Sequence, residues 1–137
     1  MKKIKEVSKI AGVSIRTLQY YDKEGLTNLQ RTKDNHRLYY QKDLEQIWKI
    51  LIYKQMDFQI KQIKKILSLP QTQQKTYLNK RKEEIKKQIK ELEENVKIIN
   101  WIEKNDIPKL PNNNLSTSYK DYIKQLKNKI LKELEEK

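Results

Sequence analysis

A mainly α-helical fold is predicted for this chain: a winged helix-turn-helix head, a long dimerising coiled-coil helix, and a short C-terminal helix. Three observations predict it. Helix breakers are scarce, with two glycines and three prolines in 137 residues, and so little punctuation leaves long helices. Two short helical patterns meet at Gly12, the arrangement of a helix-turn-helix. Leu78, Ile85, Leu92 and Ile99 recur at intervals of seven, the spacing of a coiled-coil seam. Pro70, Pro108 and Pro111 divide the rest. They suggest a compact head at 1–70, a dimerisation helix at 71–105, and a linker with a short helix at 106–137.

The elements follow in order. Ile4, Val7, Ile10 and Ala11 recur at helical spacing, and Gly12 permits a sharp turn. Ser14 is a good N-cap for a second helix, whose inner face is Ile15, Leu18 and Tyr21. Gly25 suits the left-handed position at that helix's end. Residues 26–40 have no helical period. The run from Gln30 to Tyr40 reads as a hairpin, with Asp34-Asn35 as its turn because Asn tolerates positive φ. A hairpin directly after a helix-turn-helix is a wing. Leu44, Ile47, Trp48, Leu51 and Ile52 mark one amphipathic helix, and Ile60, Ile63, Ile66 and Leu67 mark another.

Residues 78–103 are the most regular part. Ile89 and Val96 fall four residues after Ile85 and Leu92, completing a heptad seam of Leu78, Ile85, Ile89, Leu92, Val96 and Ile99. Lys82 and Glu103 occupy seam positions at its two ends. A helix of about 34 residues is roughly 50 Å long, so its apolar stripe calls for a partner, and a homodimer is expected. Spacing alone leaves parallel and antiparallel pairing open.

Composition narrows the chemistry. The net charge is +13, and residues 1–70 hold 15 basic against 7 acidic side chains. Such a field attracts polyanions, double-stranded DNA first among them. There is no Cys and one His, His36, so thiolate metal sites and disulfides are excluded and neither metal nor cofactor is expected. No apolar run suits a membrane helix, and the N-terminus lacks a signal-peptide core. A cytoplasmic protein with no membrane partner is expected. No pairing of His, Cys or clustered carboxylates offers a catalytic constellation, so an enzyme is not expected.

With Ile15 and Leu18 inward, Arg16, Thr17, Gln19 and Tyr20 face outward on the second helix. Arg pairs bidentately with guanine, and Thr touches a thymine methyl or a phosphate. Tyr hydroxyls donate to phosphate oxygens. On the wing, Arg37 and Tyr39 are two apart and share a strand face, which suggests a phosphate clamp, while Tyr40 points inward.

At these residues the chain resembles the MerR family of transcription regulators. The likeness runs from Val7 to Leu26, through Ser14-Ile15-Arg16-Thr17-Leu18-Gln19-Tyr20-Tyr21, and on through His36-Arg37-Leu38-Tyr39, Asp43-Leu44 and Phe58-Gln59-Ile60. It is most similar to the multidrug- and thiostrepton-responsive members. The resemblance implies a dimer joined by an antiparallel coiled coil, a palindromic promoter site, and distortion of the promoter spacer so that RNA polymerase engages. It implies groove or phosphate contacts for Arg16, Thr17 and Tyr20, and backbone contacts for Arg37 and Tyr39. Three positions depart from the family pattern. Asn35-His36 replaces Gly-Tyr before the wing Arg, Gln41 replaces a Ser/Thr helix cap, and Asp57 replaces Gly before Phe58.

The drug-sensing members carry a larger effector region after the coiled coil, whereas only Lys109–Lys137 follow here. Tyr119, Tyr122, Ile123, Leu126 and Ile130 form one apolar stripe. The expectation is that residues 117–134 turn back onto Ile98, Trp101 and Ile102 and cover Trp101. Trp101, Tyr119 and Tyr122 would then form an effector region for a planar apolar molecule or a protein partner. Two other functions compete with the regulator: an architectural nucleoid protein that bends DNA, and a coiled-coil adaptor with a basic surface.

Overall fold

The computed structural model describes residues 1–112 and 116–136. Asn113, Asn114 and Leu115 of the expected linker, and Lys137, lie outside the described residues. The elements are β1 (Lys2–Lys3), α1 (Ile4–Ala11), α2 (Ile15–Lys23), β2 (Gln30–Arg31), β3 (Arg37–Tyr39), α3 (Gln41–Gln55), α4 (Ile60–Leu67), α5 (Gln71–Asn105) and α6 (Tyr119–Glu135). The chain forms two compact units, Met1–Asn79 and Lys80–Lys137.

The first unit is the winged helix-turn-helix. Gly12 takes φ 71° at the end of α1, and its N–H donates to the Ser8 carbonyl at 2.9 Å. The side chain of Ser14 accepts from Thr17 N–H at 3.0 Å and so caps α2. Gly25 follows α2 at φ 80°. Both left-handed glycines stand where the turn needs them. Val7, Leu18, Tyr21, Leu26, Tyr39, Ile47, Ile50, Phe58, Ile63 and Ile66 form one buried core.

Within the head the apolar stripes need correction at three positions, and on the expected α6 stripe Tyr119 and Ile123 are exposed as well. Ile10, Trp48 and Ile52 were expected on buried faces, yet they are 63%, 68% and 44% exposed. Helix α3 turns Ile47 and Ile50 to the core and leaves Trp48 and Ile52 on its flank. Its cap also differs from the expected position at Gln41. The helix begins one residue after Tyr40, and the Asp43 carboxylate accepts from Tyr40 N–H at 2.8 Å, the half of a capping box in which the third helical residue reaches back to the cap. Asp57 takes φ 61°, the backbone state that the family's glycine would adopt without strain.

The sheet has three strands in the order β1-β3-β2, both pairs antiparallel. The expected hairpin is β2–β3, with Arg31 opposite Arg37. Asn35 holds the turn at φ 65°, and Thr32 N–H donates to the His36 carbonyl at 2.8 Å. Lys2–Lys3 adds a strand on the other side of β3, with Lys2 opposite Tyr39.

The second unit contains the rest of α5, from Lys80, and α6. Helix α5 ends at Asn105, with Asp106 at φ 65° and its N–H on the Ile102 carbonyl at 2.7 Å. Ser118 caps α6 by accepting from Asp121 N–H at 3.2 Å. Ile130 is buried in this unit. No residue of α5 is fully buried. Along the seam, Leu78, Ile89, Leu92, Val96 and Ile99 are 37–63% exposed, and Ile85 is half-buried.

Candidate nucleic-acid interface

The outward face of α2 is set by its inward one. Leu18 is 1% exposed and Tyr21 4%, so helical spacing turns Arg16, Gln19 and Tyr20 outward, and all three are exposed. Thr17 is half-buried, and its hydroxyl pairs with Ser14 Oγ at 2.8 Å. Arg16, Gln19 and Tyr20 therefore present donors and acceptors of the kind that read base edges, while Thr17 holds the helix start.

The wing meets α2 through one carboxylate. Asp22, in the last turn of α2, accepts from Arg37 Nε at 3.0 Å and from Arg31 Nη2 at 3.4 Å, both on Oδ2. Thr27 Oγ1 donates to its other oxygen at 3.4 Å. Arg37 lies on the wing strand β3, and its carboxylate partner on α2, fifteen residues away, is one that spacing did not suggest. Arg31 was not singled out as a contact. The available signal was its place opposite Arg37 once the turn was set at Asp34-Asn35.

Tyr39 is the clear correction. It was expected beside Arg37 as a phosphate contact, yet it is 1% exposed. Its hydroxyl is buried with no hydrogen-bond partner among the described residues. Burial pushes the phenol above its ordinary value, an effect that the Arg37 guanidinium opposes. The physical reason is the third strand. With β1 on one side and β2 on the other, β3 is central; Tyr39 joins the core, and Leu38 beside it on the strand is buried as well. Period-two alternation assumes one solvated face, and a short central strand over a helical core has none to spare. Tyr39→Phe is therefore expected to leave DNA affinity within about twofold. Stability should stay level or rise by up to about 1 kcal/mol, since a buried hydroxyl without a partner is costly. Titration of a duplex and urea unfolding of the variant check both; a large loss of affinity would return Tyr39 to the interface.

The expected effector residues do not form one site. Tyr119 and Tyr122 line an apolar hollow of about 760 Å³ with Ile98, Ile102 and Ile130. Trp101 borders a separate, more polar groove with Lys97, Lys104, Glu133 and Leu134. Ile98 and Ile102 line the same hollow as Leu126 and Ile130 of α6, but Trp101 sits on another side of α5, next to the end of α6. One residue along a helix rotates a side chain by about 100°, which carries Trp101 away from the face shared by Ile98 and Ile102. Among the described residues no group of three His, Cys, Asp or Glu side chains is placed to hold a metal. No helix among them is long and apolar enough to cross a membrane.

Comparison with known proteins agrees with this geometry. A family described as "MerR HTH family regulatory protein" matches residues 2–69. The HTH-type transcriptional activator mta of Bacillus subtilis (strain 168) is 37% identical over 97 residues, 70% of this chain and 38% of that protein. The chain therefore spans little more than a third of that relative's length. The crystal structure of MtaN, the N-terminus of the Bacillus subtilis multidrug transporter activator, matches with a TM-score of 0.68 at 36% identity. That match covers 73% of this chain and 95% of MtaN. The cryo-EM structure of the EcmrR–DNA complex in EcmrR-RPo matches with a TM-score of 0.63 at 30% identity, over 77% of this chain and 41% of that one. The family matched is one of transcription regulators and not of enzymes. On sequence and fold together, the chain belongs to the MerR family of helix-turn-helix regulatory proteins.

Proposed function

We propose that this chain is a sequence-specific transcription regulator that binds a palindromic promoter site as a homodimer. The observation that carries the reading is α2 itself: Leu18 and Tyr21 are locked in the core while Arg16, Gln19 and Tyr20 stand exposed. A wing bearing two arginines is held beside that helix. Helix α2 enters the major groove, where Arg16 reads a base and Gln19 and Tyr20 support it. Arg37 meets the phosphate backbone. Residues 1–70 bind DNA, and 71–105 join the two protomers through the seam. The exposed heptad residues of α5 support that pairing, because large apolar side chains at regular spacing seek cover. Residues 106–137 supply a linker and a short helix.

The EcmrR structure shows a relative of this fold on DNA. By the family likeness, the dimer distorts the promoter spacer for RNA polymerase, in the cytoplasm. The apolar hollow at Tyr119 and Tyr122 is the place for an effector, small molecule or protein, without Trp101.

Titration of duplex DNA across salt concentrations tests the reading. Affinity is expected to fall steeply with log salt, since each neutralised phosphate releases counterions. Arg16→Ala should cost about 1–3 kcal/mol and relax preference at one base pair per half-site, whereas Arg37→Ala should weaken all sequences alike. A salt-independent isotherm removes DNA as the partner. Unchanged base preference in Arg16→Ala removes Arg16 from base reading.

A further inference from the structure

The contact between wing and α2 has an unusual charge balance. Two guanidinium groups share one oxygen of one carboxylate, Asp22 Oδ2, at 3.0 and 3.4 Å. One arginine would neutralise Asp22; the second leaves the cluster with a net positive charge. The carboxylate is largely enclosed, its side chain 14% exposed, while those of Arg37 and Arg31 are 20% and 37% exposed. The anion is thus covered and the cations reach the surface. Arg31 is fixed further by the wing turn, where its Nη1 donates to the Asn35 carbonyl at 3.2 Å. Each guanidinium is held along part of its edge. The terminal nitrogens of Arg37 and the Nε of Arg31 make no hydrogen bond to the described residues.

We infer that Asp22 is a positioning residue for phosphate binding: it holds Arg31 and Arg37 so that their remaining N–H groups meet the DNA backbone, and Arg31 is a second phosphate-binding arginine of the wing. The inference rests on the DNA-binding reading above. Its physical basis is preorganisation. A free arginine loses rotamer freedom when it docks, whereas one already held by a carboxylate has lost most of it and presents a rigid fork that suits a phosphate. Because Asp22 belongs to α2, the same side chain also links the phosphate contacts of the wing to the helix that enters the groove.

The inference makes a prediction of opposite sign to simple charge. Removing a negative charge near DNA strengthens binding if only the field matters. If Asp22 positions the arginines, Asp22→Asn weakens it instead. The test uses the full chain and a labelled duplex of mixed sequence, with affinity measured by anisotropy at several salt concentrations and folding checked by thermal melting. Arg31→Gln should weaken binding about fivefold and lower the slope of log affinity against log salt by about 0.9 for each wing engaged. Asp22→Asn should weaken binding about threefold or more despite the gain in net charge, with a lower slope. In a chain already carrying Arg31→Gln and Arg37→Gln, the same Asp22→Asn change should cause no weakening, because nothing remains to be positioned. Tighter binding by Asp22→Asn overturns the inference, and so does equal weakening in the arginine-free background. If Asp22→Asn melts too low to assay, the salt slope of Arg31→Gln decides, and an unchanged slope overturns the inference. A wild-type isotherm that does not respond to salt would instead overturn the DNA-binding reading itself.

Discussion

Leu92→Lys combined with Val96→Lys is expected to convert the proposed dimer to a monomer and abolish tight binding to the proposed palindromic site. The two residues are 63% and 58% exposed on the single chain, with Ile89 and Ile99 on either side of them along the seam. Lysine is a good helix former, so α5 should stay helical and the helical signal should survive. The substitutions act only where two chains meet. Two charges from each protomer would have to leave water together at a shared interface, and the effective penalty is several kcal/mol per ion. Loss of pairing also removes the gain from binding two half-sites at once, which is on the order of 100-fold or more in affinity. Analytical ultracentrifugation should give the monomer mass, and a monomeric head should retain only weak, salt-sensitive binding. A variant that remains dimeric would place the interface away from the seam.

Leu18→Ala is expected to destabilise the head more than any single change on its DNA-facing side. Leu18 is 1% exposed and belongs to the core cluster with Val7 and Ile50. Truncating a buried leucine removes its transfer energy and leaves a cavity, at a cost of about 2–5 kcal/mol. A small domain has roughly 5–15 kcal/mol in all, so much of the head's stability rests on this one side chain. The neighbouring Gln19→Ala is the control, since an exposed substitution should stay within about 0.5 kcal/mol. Urea unfolding followed by far-UV circular dichroism separates the two. At temperatures where Leu18→Ala is still folded, its DNA affinity should approach that of the wild type, whereas Gln19→Ala should keep its stability and alter base preference. A cost below about 1 kcal/mol for Leu18→Ala would mean that α2 is anchored by other residues.

Much of the head was legible because its signals are local. Gly12, Ser14 and Gly25 each act within a turn of their own position, through left-handed backbone or a side-chain cap. Asn35 likewise carries the wing turn within four residues. Leu18 and Tyr21 follow from helical spacing once Ser14 starts the helix. These features required no knowledge of where the rest of the chain goes, and they were enough to orient Arg16, Gln19 and Tyr20 outward.

Other features depend on partners distant in sequence. Nothing local marks Lys2–Lys3 as a strand; β3 supplies its hydrogen bonds. That pairing makes β3 central and buries Tyr39, which alternation had placed outside. Helical spacing found the apolar residues of α3 but gave no measure of how wide the buried face is, so Trp48 and Ile52 were assigned to the core and stand exposed. The pairing of Asp22 with Arg31 and Arg37 joins three elements across 9 and 15 residues. Trp101 and the tyrosines Tyr119 and Tyr122 share an apolar character that invited one site, but helical rotation turns Trp101 away from the side of α5 that shares a hollow with the two tyrosines. Sequence by itself determined the order of the helices and the wing hairpin, the turns at Gly12, Gly25 and Asn35, the Ser14 cap, and the face that α2 shows to solvent, because each follows from backbone geometry within a few residues. Tertiary structure alone decided which strand is central, how much of each helix is covered and which arginines share a carboxylate, because burial and ion pairing are properties of surfaces that meet only after the chain has folded.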